Sequence, residues 1–192
     1  MAVYRMTRYP RSVRLRDETE LTLRPMERTD ADALLDFFKA VPSEDRFFLK
    51  DDVASPDVVQ SFAEHLDYDR ALPMLALDND RIVADALLIR HRGGYQRHKA
   101  EIRVVVHPDY RGKGLGVLLM HELTDIAWDA ELDEVEFTMI RDVQDDAIAA
   151  AKFVGAFEVG VASEYARDPK GLLHDLVFLR IPLGKWWQWS QF

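Results

Sequence analysis

Cysteine is missing from the 192-residue sequence, and its absence excludes several kinds of site. Without a thiol the chain has no disulfide framework, no thiolate zinc site and no cysteine nucleophile. Its histidines show no metal-ligand spacing, so we expect no metal centre. A chain without cysteine is compatible with a reducing compartment, and we expect a cytoplasmic location.

Long apolar runs are also missing. No run approaches the ~18 residues of a membrane span, and the N-terminus lacks the apolar block of a signal peptide, so we expect a soluble protein without a membrane partner. Basic residues are scarce as well, because 25 lysines and arginines stand against 34 acidic residues and leave a net charge of −9. Non-specific nucleic-acid binding needs a basic surface, and we therefore expect none.

The arginines are unevenly distributed along the chain. Residues 1–16 contain five arginines and no acidic residue, so the remaining sequence is more acidic than the average suggests. An acidic body would attract a cationic acceptor, although the same charge would also serve solubility alone.

Nothing in the sequence divides it into two domains, since it has no internal repeat, no low-complexity tract and no linker rich in proline or glycine. With 48% hydrophobic residues the chain can build one sizeable core. We expect a single domain over residues 1–192, with an N-terminal arm and hairpin strand over 1–20 and a tryptophan-rich tail over 184–192. We expect the tail to pack on its own domain or to form a homodimer contact, with a ligand role as the alternative.

The spacing of apolar residues predicts strands. Alternation on both sides of residues 17–19 predicts a leading hairpin, and the turn sequence at 78–80 predicts a second one. Further strands are expected in "AEIRVVVHP", in "EVEFTMI" and in two segments near the C-terminus. Three of the central strands should therefore be antiparallel neighbours.

The spacing of apolar residues also predicts helices between the strands. Apolar residues at helical spacing follow Asp30, Ser55 and Gly114, and a short helix is expected over residues 44–51. Another helix is expected in "DAIAAAKFVG". This order of elements predicts the α+β class, with a mixed, mostly antiparallel sheet of about seven strands flanked by helices.

The segment "HPDYRGKGLGVLLM" carries the strongest functional signal, because three glycines alternate just before a predicted helix. Glycine lets a ligand approach the backbone closely, and the unpaired amide groups of a first helical turn attract an anion. The spacing predicts a phosphate or pyrophosphate site; it excludes a P-loop, and the antiparallel context disfavours a dinucleotide fold. A helix start that merely tolerates glycine is the remaining alternative.

At these residues the sequence resembles the GNAT superfamily, the Gcn5-related N-acetyltransferases, whose pyrophosphate signature [QR]-x-x-G-x-[GA] matches residues 111–116. The resemblance runs from about Leu21 to about Leu183 and implies a GNAT fold with acetyl-CoA as co-substrate. It also implies that the strand ending at His107 splays from the strand containing Phe137. The implied cofactor-binding residues are Val104, Val105, Val106, Arg111, Gly112, Lys113, Gly114, Leu115 and Gly116.

Acetyl transfer to an amine needs a base, because an acceptor with a pKa near ~10 is mostly protonated at neutral pH. Glu101 is the candidate, since many family members carry a glutamate base in a matching "AEI" context; the alternative is a strand carboxylate paired with Arg103 or a cross-strand cation. For the general acid the family's tyrosine is missing from "AAAKFVGAF". Tyr165 is the first substitute, with Tyr110 or water as alternatives, and His107 is expected to close its strand by hydrogen bonding.

The resemblance implies an N-acetyltransferase that transfers an acetyl group to a primary amine by direct attack. The N-terminal stretch resembles bacterial protein-lysine acetyltransferase domains, which favours a protein lysine over a small-molecule amine as the acceptor. A non-catalytic acyl-CoA sensor is the alternative from another class, because the missing tyrosine would also fit a fold that has lost its chemistry.

Overall fold

One eight-stranded sheet organises the computed structural model, which describes residues 6–91 and 93–184. The α+β class and the mostly antiparallel sheet are confirmed, with eight strands where about seven were expected. The strands are β1 (Arg11–Arg14), β2 (Glu20–Pro25), β3 (Ala71–Asp78), β4 (Arg81–Arg90), β5 (Lys99–Val106), β6 (Glu134–Ile140), β7 (Phe157–Arg167) and β8 (Leu173–Pro182). They lie in the order β1-β2-β3-β4-β5-β6-β8-β7.

Helices cover both faces of this sheet. On one face the first and third helices form a core with residues of β3 and β4. The last two pack on the other face, over the apolar side chains of β5, β6 and β8. The helices are α1 (Ala31–Ala40), α2 (Ser43–Arg46), α3 (Pro56–Glu64), α4 (Leu115–Asp129) and α5 (Asp145–Val154).

Both predicted hairpins form. In the first, β1 and β2 are antiparallel with Val13 opposite Leu21, and both side chains are buried. In the second, β3 and β4 are antiparallel and meet at Asn79, whose φ of 53° is the left-handed conformation that asparagine tolerates in a tight turn. The sequence signal and the backbone geometry agree at both turns.

The only parallel pairing among the described strands joins β5 to β6, and it is short. Three residue pairs carry it, the last being Glu101 opposite Glu136. Beyond this pair β5 stays with β4 up to Val106, while β6 stays with β8 up to Ile140. The two strands therefore separate at Glu101, as expected, and leave an opening in the middle of the sheet.

The arginine-rich N-terminal segment is anchored to α4 through a buried carboxylate. Glu122 is only 4% exposed and forms ion pairs with Arg8 and Arg11, both at 3.2 Å. The Tyr9 hydroxyl donates a hydrogen bond to the same carboxylate. Since a buried charge is costly unless it is paired, these contacts give two of the five arginines a structural role.

The tryptophan-rich tail falls outside the described residues except for Gly184, so its packing, dimer or ligand role stays a prediction. None of the described helices has both the length and the apolar character that a membrane span requires.

Asp85 is an unusual residue for the centre of a sheet. It lies on β4 between Leu75 of β3 and Val105 of β5, and its Oδ1 atom is buried without a hydrogen-bond partner in the part of the chain that the structure describes. Burial raises its pKa to about 7, because desolvation penalises the charged form. The folded protein therefore holds this proton at pH values where the unfolded chain has lost it.

This raised pKa predicts that the contribution of Asp85 to stability falls as the pH rises from about 4 to about 7, since over that range its carboxyl has lost its proton in the unfolded state but keeps it in the folded state. Above pH 7 the loss is complete. Replacing Asp85→Asn should raise the free energy of unfolding at pH 8 by about 2 kcal/mol. This is less than the whole pKa shift would give, because the residue as a whole keeps some solvent exposure. Urea unfolding at pH 5 and pH 8 measures the difference.

The exposed Asp36→Asn variant on α1 is the matched control, and its stability should follow the wild type at both pH values. An Asp85→Asn variant with no gain at pH 8 would show that the carboxylate finds a partner or water in the folded state.

Candidate functional site

Beyond the point where β5 and β6 separate, the end of β5 lines a cleft of about 530 Å³, a volume typical of sites for small ligands. One wall comes from the end of α1 and from the segment after it, including Phe48 and Leu49. The opposite wall comes from the glycine-rich loop and the start of α4, with part of α5 at the rim. The end of β5 forms the floor.

The glycine-rich loop has the conformation that its sequence predicts. Gly112 has a φ of +73°, and Gly114 has a φ of +89° at the N-cap of α4, both in the left-handed region that favours glycine. The first amide groups of α4 have no acceptor within the helix and lie at its positive end. Because Leu115 and Gly116 line the cleft, this end of the helix can hold an anion inside it.

Most of the predicted cofactor-binding residues share this cleft. All of them except Lys113 line it. The Lys113 ammonium instead pairs with Asp17 at 3.0 Å and lies 5.3 Å from the centre of the Tyr110 ring. Because β5 has left β6 beyond Glu101, the edge of Val104–Val106 that faces away from β4 has no partner among the described strands and can pair with an extended ligand.

Arg111 connects the two walls of the cleft. Its Nε donates to the Val106 carbonyl at 3.0 Å, and a terminal nitrogen donates to the Asp45 carboxylate on α2 at 2.7 Å. The arginine of the sequence signature therefore binds the end of β5 and α2 at the same time.

Glu101 lies where β5 and β6 separate, and cations surround it. Its carboxylate accepts from Lys50 Nζ at 2.9 and 3.2 Å and from the Arg103 guanidinium at 3.0 and 3.1 Å. The Thr138 hydroxyl donates to it from β6 at 3.2 Å. Partial burial alone would raise the pKa of Glu101, but the hydrogen bonds and charges of Arg103 and Lys50 prevail and lower it to about 2. Glu101 is therefore ionised at every working pH.

The two candidate acids lie in different places. Tyr165 is 68% exposed on β7, an edge strand of the sheet, and does not line the cleft. Tyr110 does line it, but its hydroxyl donates to Asp78 at 2.5 Å, and this hydrogen bond together with burial raises the pKa of the phenol. Of the two, only Tyr110 lies at the predicted cofactor loop.

His107 has the closing role expected of it. The ring is buried, and Arg81 donates to its Nε2 at 2.8 Å. Burial and the nearby Arg81 charge lower the pKa of this histidine, so the ring is neutral at pH 7. Over residues 6–91 and 93–184, no three histidine or acidic side chains are grouped so that they could hold a metal ion.

Two residues at the cleft or beside Glu101 have no local sequence signal. Arg16 and Lys50 reach the cleft or Glu101 from segments that are distant in sequence, since Lys50 lies 51 positions before Glu101. Their contacts depend on how the N-terminal hairpin and the first helices pack, which spacing along the chain does not report.

Comparison with known proteins shows which family the chain is similar to. The family described as Acetyltransferase (GNAT) family matches residues 33–156. None of the curated proteins compared with the chain matches its sequence.

Several solved structures share the fold. The GNAT domain of S. lividans PAT is 20% identical with a TM-score of 0.76, and the match covers 92% of this chain and 98% of that one. The yncA protein of Salmonella typhimurium, solved with its cofactor acetyl-CoA, is 19% identical with a TM-score of 0.72, over 86% and 95% of the two chains. A spermidine N-acetyltransferase chimera from Vibrio cholerae and hSSAT is 19% identical with a TM-score of 0.70, over 84% and 95%.

Proposed function

The chain belongs to the GNAT acetyltransferase family, which makes it an acetyl-CoA-dependent N-acetyltransferase, and we propose that its acceptor is a protein lysine whose deprotonation Glu101 assists. The observation that carries the proposal is the position of Glu101. This carboxylate lies at the start of the opening in the sheet, on the same strand as the predicted pantetheine-binding residues, and it already holds a primary ammonium, that of Lys50.

The cofactor side of the cleft supports the expected acetyl-CoA orientation. The amide groups at the start of α4 would hold the pyrophosphate, and the unpaired edge of Val104–Val106 would pair with the pantetheine arm. A cofactor that extends from one to the other has its thioester near the opening between β5 and β6. An amide near Val105 or Val106 would then stabilise the oxyanion that forms during transfer.

The reaction needs a neutral amine that attacks the thioester carbonyl, so that a C–N bond forms while the C–S bond breaks. Glu101 would receive the amine proton directly or through water, and the thiolate would leave with a proton from a candidate acid or from solvent. Tyr165 stays a prediction for that acid. Tyr110 is the alternative that already lines the cleft, once its hydroxyl is free of Asp78.

Before the acceptor binds, the Lys50 ammonium occupies the Glu101 carboxylate. The lysine side chain is 55% exposed, so an incoming acceptor ammonium can replace its head group at the carboxylate. Because the acceptor ammonium brings the same positive charge that Lys50 takes away, Glu101 stays ionised and pairs with the acceptor nitrogen until its proton leaves. In this proposal the head group of Lys50 occupies the place that the acceptor ammonium takes.

A titration calorimetry experiment followed by turnover assays tests the proposed function. Acetyl-CoA should bind with micromolar affinity while NAD should not, and a lysine peptide should then be acetylated faster than spermidine. Turnover of spermidine alone would move the acceptor to the small amines. Binding of acetyl-CoA without turnover of either amine would favour the non-catalytic sensor.

A further inference from the structure

The turn of the N-terminal hairpin lies against the glycine-rich loop, although 98 positions separate Arg16 from Gly114 in sequence. The Arg16 amide approaches the Lys113 carbonyl at 3.5 Å, and the neighbouring Asp17 pairs with the Lys113 ammonium at 3.0 Å. The Arg16 side chain runs beside Gly114, where its Nε and Cδ atoms would lie 3.4 and 3.7 Å from a Cβ on that glycine. The hairpin thus brings a guanidinium to the start of α4.

The basic side chains around the loop differ in whether they already form an ion pair. Arg111 is bound to Asp45, and Lys113 is bound to Asp17. Arg16 lines the cleft, is exposed, and forms no ion pair with any residue in the described part of the chain. The adjacent hairpin arginine, Arg14, is by contrast paired with Glu18 and Glu20.

We propose that Arg16 binds a phosphate group of acetyl-CoA, so that the N-terminal hairpin completes the phosphate-binding site begun by the glycine-rich loop. The inference rests on the proposed function, because it takes acetyl-CoA as the ligand of the cleft. Acetyl-CoA carries a pyrophosphate and a 3′-phosphate, and the planar guanidinium suits either one by bidentate hydrogen bonding. Because Arg16 lies next to Gly114, its guanidinium can bind a phosphate oxygen that the amide groups of the first turn of α4 leave without a hydrogen bond.

The test compares acetyl-CoA with 3′-dephospho-acetyl-CoA in titration calorimetry on the wild type and on Arg16→Gln. The substitution should weaken acetyl-CoA binding about tenfold, as expected for the loss of hydrogen bonds to a charged partner. If Arg16 binds the 3′-phosphate, the two proteins should bind the dephospho compound equally. If it binds the pyrophosphate, the loss should appear with both compounds.

Two further variants make the result specific. Arg14→Gln removes a positive charge from the same hairpin without touching the cleft, and it should bind acetyl-CoA like the wild type. Arg16→Lys keeps the charge but not the planar pair of donors, and it should fall between the wild type and Arg16→Gln. Equal Kd values for the wild type and Arg16→Gln with both compounds would overturn the inference. A wild type that fails to bind acetyl-CoA would instead overturn the proposed function.

Discussion

Replacing Gly114 with tryptophan should weaken acetyl-CoA binding by at least about 100-fold. Gly114 is the N-cap of α4 with a φ of +89°, and a side chain there would enter the space between Arg16 and the first amide groups of the helix. An indole in that space would exclude the phosphate, and several charge-assisted hydrogen bonds would be lost together. Titration calorimetry with acetyl-CoA measures the effect directly.

Backbone strain is the competing explanation for such a loss, because any L-residue at this φ is strained by roughly 1–2 kcal/mol. Gly171 is the matched position, with a φ of +86° in the turn between β7 and β8 and no atom within 4 Å of a Cβ placed there. Gly171→Trp should therefore lose comparable stability and keep its affinity for acetyl-CoA. If both variants bound acetyl-CoA like the wild type, the loop at residues 112–116 would not be the phosphate site.

The elements that local spacing controls could be predicted from the sequence. The hairpin at Asn79 follows from turn chemistry and from alternation over a few residues. The folded chain has both the predicted turn and the predicted antiparallel strands. The glycine-rich loop follows from the conformations that only glycine adopts cheaply, and Gly112 and Gly114 do adopt them. Where a single short segment determines the backbone conformation, the sequence is sufficient to predict that conformation.

The segment after α1 shows where local spacing fails. A helix was expected over residues 44–51, but α2 ends at Arg46. Phe48 instead packs edge-on against His174 of β8, with ring centres 6.1 Å apart. Helical propensity alone would have continued α2 through Phe48. The contact of Phe48 with His174, 126 positions away, cannot be recognised from any local pattern.

Glu101 combines a predicted feature with an unpredicted one. Its pairing with Arg103 was the alternative to the base role, since alternation places the two side chains on one face of the strand. Lys50 could not be anticipated, because its loop is positioned only by the packing of α1 and α3 on the sheet. The same limit applies to the N-terminal arginines, whose buried partner Glu122 lies more than 100 positions away. Ion pairs between distant segments can be predicted only when the fold is known.

Replacing Glu101 with glutamine should lower kcat about 100-fold and leave the Kd for acetyl-CoA unchanged. The amide keeps the size of the side chain and its hydrogen bond from Thr138 but cannot accept the amine proton, and a positioned base typically contributes 10²–10⁴-fold. Steady-state rates with a lysine peptide, together with calorimetry, separate the two effects.

The pH dependence follows from the low pKa of Glu101. Because Lys50 and Arg103 hold it at about 2, the carboxylate stays ionised above pH ~4, and the wild-type rate should rise with pH only as the acceptor amine, with a pKa near ~10, loses its proton. Lys50→Gln removes one of these cations and should raise the pKa of Glu101, which shifts any loss of rate at low pH towards higher pH.

Glu136→Gln is the matched control, since Glu136 pairs with Glu101 across the two strands but binds only Lys99 among the described hydrogen bonds. It should keep the wild-type rate. A Glu101→Gln variant that also kept the rate would assign the carboxylate to holding Lys50 and Arg103 in place. Deprotonation of the acceptor would then fall to solvent, and the steep rise of rate with pH would be the same in both proteins.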